Sequence, residues 1–86
     1  MLFEIGIIGA SGQDGYFMTR YLLKMGLNVL AIVRSKKKNI LELKNKYKKR
    51  LKIIEIKELD SKNYLKILNK FKIKKIFFCW IQQNTS

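Results

Sequence analysis

The chain has 86 residues, of which 48% are hydrophobic, and a formal net charge of +13. This length limits it to one small domain or part of a larger one, and the apolar share excludes a disordered chain. A single cysteine, Cys79, excludes an internal disulfide, and the absence of histidine argues against a zinc site.

Leu2 to Ile8 is a short apolar run of the kind expected for a buried strand. Gln13 to Met25 follows, with Tyr16, Phe17, Tyr21, Leu22 and Met25 at helical spacing, and Gly26 stands where a helix C-cap belongs. Asn28 to Val33 is a second strand, rich in β-formers. Lys38 to Arg50 has the pattern of a basic amphipathic helix, and Leu51 to Ile56 is a third strand. Asp60-Ser61 opens a further helix to about Phe71, with Leu65, Leu68 and Phe71 on one side. Lys75 to Ile81 is a fourth strand, rich in aromatic residues. The order β-α-β-α-β-α-β predicts an α/β fold, a parallel sheet covered by helices. Four strands and three helices amount to an incomplete Rossmann-type doubly wound sheet, since such sheets usually have about six strands. A four-stranded sheet leaves an apolar edge where a fifth strand belongs, which predicts self-association or poor solubility.

Four of the five glycines, Gly6, Gly9, Gly12 and Gly15, recur every third residue around the end of the first strand. Gly9 to Gly15 fits G-x-x-G-x-x-G, a variant of the dinucleotide fingerprint. In that scheme the first glycine permits a tight turn, the second lets backbone approach a pyrophosphate, and the third allows close helix–strand contact. The phosphates then meet free N–H groups at the positive end of a helix. The scheme does not need Gly6. The alternative is a turn that is merely glycine-rich, but a strand before, a helix after and a second strand on schedule favour the nucleotide site. The second strand ends Val33-Arg34-Ser35. An acidic residue there would favour NAD, whereas a guanidinium matches a phosphate, so the expected cofactor is NADP rather than NAD.

Ten of the nineteen basic residues lie between Arg34 and Lys52. A phosphate-contacting nucleic-acid surface is one reading. The other is a solvated helix face with an apolar stripe, and the lack of interleaved aromatic residues favours it. The chain opens Met-Leu-Phe-Glu, without a basic region before a long apolar run, and has no stretch fit to cross a bilayer. The expectation is therefore a cytoplasmic protein with no metal, no membrane partner and no nucleic-acid partner.

The segment GASGQDGYFMTRYLLKMGLNVLAIVRS resembles the beginning of the GDP-mannose 4,6-dehydratase family, within the extended short-chain dehydrogenases/reductases. Gly12-Gln13-Asp14-Gly15 is the most particular part of the likeness. Leu22, Leu23 and Gly26, and Val33 to Ser35, also fall where that family has similar residues. LDSKNYLKILNKFKIKKIFF is similar to a later segment of the family, more loosely. The resemblance implies a tightly held NADP that takes a hydride from the sugar C4 and returns it to C6 after water is lost across C5 and C6. It also implies that Gly9, Gly12, Gln13, Asp14 and Gly15 surround the pyrophosphate, that Arg34 and Ser35 face the 2′-phosphate, and that Ser11 belongs with them to the cofactor-binding residues.

Three departures from the family pattern stand out. Lys57, with Glu58 beside it, occupies the position of an adenine-facing aspartate. Trp80 and Ile81, before Gln82, replace small residues that lie against the cofactor. The catalytic Tyr-x-x-x-Lys, whose lysine lowers the tyrosine pKa, is missing. Tyr16, Tyr21, Tyr47 and Tyr64 are followed at the fourth position by Arg20, Met25, Leu51 and Leu68. No catalytic residue is assigned. The expectation is an NADP-binding N-terminal fragment, inactive alone, produced by a frameshift, an early stop or a gene-boundary error that would show in the tail CWIQQNTS. Another nucleotide-sugar epimerase or reductase and a small basic nucleic-acid-binding module are the alternatives. Cys79, without a histidine to activate it, is expected to be a buried strand residue, and Phe77, Phe78 and Trp80 to be core or edge packing.

Overall fold

The strands form where β-branched and other apolar residues cluster, and the helices where apolar residues recur every three or four positions. The computed structural model describes residues 3–58 and 60–79. In chain order the elements are β1 (Ile5–Ile8), α1 (Gln13–Lys24), β2 (Val29–Val33), α2 (Lys38–Tyr47), a 3-10 turn (Lys48–Arg50), β3 (Leu51–Glu55), α3 (Ser61–Phe71) and β4 (Lys75–Phe78). The four strands are parallel and lie in the order β3-β2-β1-β4. This is an α/β, partial Rossmann-like arrangement.

Alternation along the strands divides the core into two layers. Ile7, Val29, Ala31, Val33 and Leu51 pack beneath Leu22 and Leu23 of α1 and Ile40 and Leu43 of α2. Ile8, Leu30 and Ile32 point the other way and meet Ile67 of α3, with Phe3 completing that side. β2 is buried along its whole length, so its run of five apolar residues needs no polar alternation.

Three elements differ from the sequence pattern. The basic helix stops at Tyr47, because Lys48 takes φ +56° and the chain turns to bring Leu51 into the sheet. The Lys44 ammonium supports that turn by donating to the carbonyls of Lys48 (2.9 Å) and Leu51 (2.6 Å). On α1 the inward residues are Gly15, Thr19, Leu22 and Leu23, while Phe17, Tyr21 and Met25 are 54%, 63% and 60% exposed. Two stripes compete on this helix, and the one carrying Gly15 faces inward because only a residue without a side chain fits against the preceding loop. On α3 the buried residue is Ile67, flanked by Tyr64 and Phe71, and Leu65 is exposed.

The strands are also shorter than the apolar runs. β1 begins at Ile5, because the Glu4 carbonyl accepts from the amides of Lys74 and Lys75 ahead of the ladder. β3 ends at Glu55, although the Ile56 amide still donates to Val33 O (2.8 Å). β4 ends at Phe78; Cys79 follows it half-buried, not as a strand residue. Phe77 packs against the α1/α2 side of the core, whereas Phe78 is 61% exposed. The positions of Trp80, Ile81 and Gln82 lie outside the described residues.

Where α1 ends, Leu27 N–H returns to Leu22 O and Gly26 N–H to Leu23 O, both at 3.1 Å, with Gly26 at φ +93°. This is a Schellman C-cap, and a side chain at residue 26 would be strained. The Arg50 guanidinium closes the same end, donating to Leu23 O (2.6 Å) and Leu27 O (3.0 Å). At the other end of the molecule, the Asp60 carboxylate caps α3 through the Asn63 amide (2.8 Å).

Candidate functional site

Parallel strands place all their C-terminal ends along one edge. The chain travels from β1 out to β3, then returns across β1 to β4, so successive connections diverge at β1 and β4. Such a divergence leaves a crevice beyond the strand ends, where open α/β sheets hold ligands. At this edge lie the Gly9–Gly12 loop after β1, Arg34 and Ser35 after β2, Lys57 and Glu58 after β3, and Cys79 after β4.

The first glycine performs the turn. Gly9 takes φ +88°, a conformation that side-chain-bearing residues rarely adopt. Its amide, and that of buried Ala10, donate to Ile32 O at 2.8 and 3.3 Å, which lashes the loop to the end of β2. Gly12 N–H then bonds back to Gly9 O (3.1 Å), and Tyr16 N–H to Gly12 O (2.8 Å) starts α1.

The third glycine packs. A Cβ on Gly15 would lie 2.1 Å from Gly9 O and 2.8 Å from Gly9 C, both backbone atoms that cannot move aside. The second glycine is different, since a Cβ on Gly12 would be 3.4 Å from its nearest neighbour, an ordinary contact. Among the described residues nothing requires Gly12 to lack a side chain. Gly6 is likewise unforced, because its added Cβ would meet Ile73 and Ile76 at 3.5 and 3.7 Å.

Gly12 is the N-cap of α1 and no side chain caps the helix. The first-turn amides of Gln13, Asp14 and Gly15 therefore lie at the positive end of the helix dipole without a capping acceptor. Gln13 and Asp14 are exposed, while Ser11 is buried. Arg34, Ser35 and the three lysines that follow are exposed beyond β2.

The glycine loop and the basic segment thus share one edge of the sheet. The structure links them through Asn39 in the first turn of α2, whose side-chain amide donates to Ser11 O (3.3 Å). Sequence reasoning missed Asn39, because a polar residue at the start of a lysine-rich helix has no distinguishing spacing.

Cys79 N–H donates to Ile8 O (2.7 Å), which fixes the end of β4 beside the glycine loop. Burial pushes the Cys79 thiol above its ordinary pKa, and the carboxylate of Asp14 adds to the effect. Within the basic run, Lys44 and Arg50 spend their donors on backbone carbonyls of the protein itself.

Among the described residues no group of three or more His, Cys, Asp or Glu side chains could hold a metal ion. No described helix is long and apolar enough to cross a membrane. A shallow groove of about 300 Å³ between β3 and α3, lined by Ile54, Ile56, Ile67 and Phe71 with Lys66 and Lys70 at its side, includes none of the glycine-loop residues.

The family model described as GDP-mannose 4,6 dehydratase matches residues 7–78, from the middle of β1 to the end of β4. The chain belongs to this family. No curated protein matches it. The dehydratase family match spans the glycine loop, α1 and the Arg34-Ser35 segment together. The loop that the sequence singles out is therefore the strand-to-helix turn of a nucleotide-sugar-dehydratase-like chain, and a dinucleotide is the cofactor class that the family implies.

Proposed function

We propose that this chain binds NADP in preference to NAD at the C-terminal edge of its sheet and performs no dehydration on its own. One observation carries the reading: Gly9 and Gly15 are demanded by the fold, whereas Gly12 is bare where nothing among the described residues requires it. A backbone surface kept clear in front of uncapped helix amides suits a diphosphate.

In this reading the amides of Gln13 and Asp14 donate to the pyrophosphate, the bare backbone of Gly12 lets it approach, and Ser11 and Gly15 shape the loop around it. Arg34 pairs with the 2′-phosphate through a charge-assisted bond, and the Ser35 hydroxyl donates to the same group. When bound, NADP supplies a hydride acceptor and donor for oxidation and reduction of a sugar carbon. The chain's own residues hold and orient the dinucleotide. None of the four tyrosines has the Tyr-x-x-x-Lys partner needed to move a proton at a sugar hydroxyl. The substrate of the complete reaction is GDP-mannose, converted to GDP-4-keto-6-deoxymannose, and the 86-residue chain contributes the cofactor side of that chemistry.

Titration with NADPH and NADH, followed by nucleotide fluorescence, tests the reading. Saturable binding is expected, tighter for NADPH, and Arg34→Ala should weaken NADPH about tenfold while leaving NADH unchanged, a loss of about 1.4 kcal/mol. Incubation with NADP and GDP-mannose should yield no 4-keto product. A chain that ignores NADPH yet binds a random DNA duplex in a salt-sensitive manner would be a basic nucleic-acid module instead.

A further inference from the structure

We propose that Asn39 is a positioning residue that sets the span between the two phosphate-binding points of the dinucleotide site, an inference that rests on the reading above. Asn39 lies 28 residues from its partner in sequence, and its amide nitrogen donates to Ser11 O, in the middle of the glycine loop, at 3.3 Å. Its side-chain oxygen accepts from the Ile40 amide at 2.6 Å, so both ends of the side chain are engaged and its direction is fixed. Ile40, the next residue, is fully buried and anchors the start of α2 in the core.

Between these anchors runs the exposed segment Arg34 to Lys38. Its beginning is held by the bond from Ile56 N–H to Val33 O (2.8 Å), at the last residue of β2. Its far end is held by Asn39 against the glycine loop. The strap that carries Arg34 and Ser35 is thus tied at one end to the loop that faces the pyrophosphate. A ligand with phosphates at both points gains from a fixed span, because neither loop has to be ordered on binding. A ligand that touches only the Arg34 side gains nothing from it.

The test compares two ligands on the full chain: NADPH, which reaches both points, and adenosine 2′-phosphate, which reaches only the Arg34-Ser35 side. Asn39→Ala should weaken NADPH five- to tenfold and leave adenosine 2′-phosphate within twofold by NMR titration, with the far-UV circular dichroism unchanged. If Asn39→Ala does not fold, Asn39→Asp serves, because it keeps the shape and the acceptor for Ile40 but cannot donate to Ser11. Its added charge acts on both ligands, so the ratio of the two affinities is read. Equal loss for both ligands, or no loss for NADPH, overturns the positioning role and leaves the dinucleotide reading standing. A wild-type chain that does not bind NADPH overturns both.

Discussion

Gly12 and Gly15 are three residues apart and answer to different demands. The Gly15→Ala methyl would sit inside the backbone of Gly9, so this change should destabilise the fold by about 1–3 kcal/mol or more, read from urea unfolding. Gly12→Ala meets only an ordinary contact in a backbone conformation that alanine accepts, so its cost should stay below about 1 kcal/mol. NADPH affinity should nevertheless fall in Gly12→Ala, and a variant that is both stable and fully competent to bind would remove the case for a pyrophosphate there. Cys79 provides a further check at this scale. Burial, then Asp14, raises its pKa, so the protonated thiol persists to higher pH than in a free cysteine, and only the thiolate reacts with iodoacetamide. Alkylation near neutral pH should therefore be slower than for free cysteine, and Asp14→Asn should accelerate it.

At the scale of elements, α1 depends on how its C-terminal end is closed. Arg50→Ala removes two donors from the carbonyls of Leu23 and Leu27 and should cost about 1–3 kcal/mol, seen as a lower melting temperature. The order of elements was legible in the sequence because Val29 to Val33 and Leu51 to Ile54 are runs that only strands accommodate, and Gly26 marks a helix end. The glycine loop was legible because a strand before it and a helix after it frame the spacing, although the structure itself requires glycine only at Gly9, for its positive φ, and at Gly15, for its contact with Gly9. The rotation of α1 was not, because Phe17, Tyr21 and Met25 form as good an apolar stripe as Leu22 and Leu23 with Thr19. Neither was the end of α2, where a turn at Lys48 interrupts a pattern that continues unbroken in the letters. Asn39 was hidden because its partner is brought near only by the packing of α2 on the sheet.

For the whole molecule, the exposed β4 edge and a net charge of +13 oppose one another. Among the described residues β4 has a single strand neighbour, and Phe78 is exposed, an arrangement that invites another edge. Repulsion between copies weakens as salt shortens the screening length, to about 8 Å at physiological ionic strength. Light scattering should therefore show association that grows with both protein concentration and salt, and Phe78→Lys should reduce it. A monomer under all these conditions would show that the edge is protected. The contact between Gly15 and the loop at Gly9 has a consequence beyond the turn itself. Because one absent methyl at Gly15 dictates the azimuth of a twelve-residue helix, it also decides which aromatic rings water must surround. No single replacement can turn those rings inward: the whole periodic pattern would have to advance by one residue, about 100° around the axis.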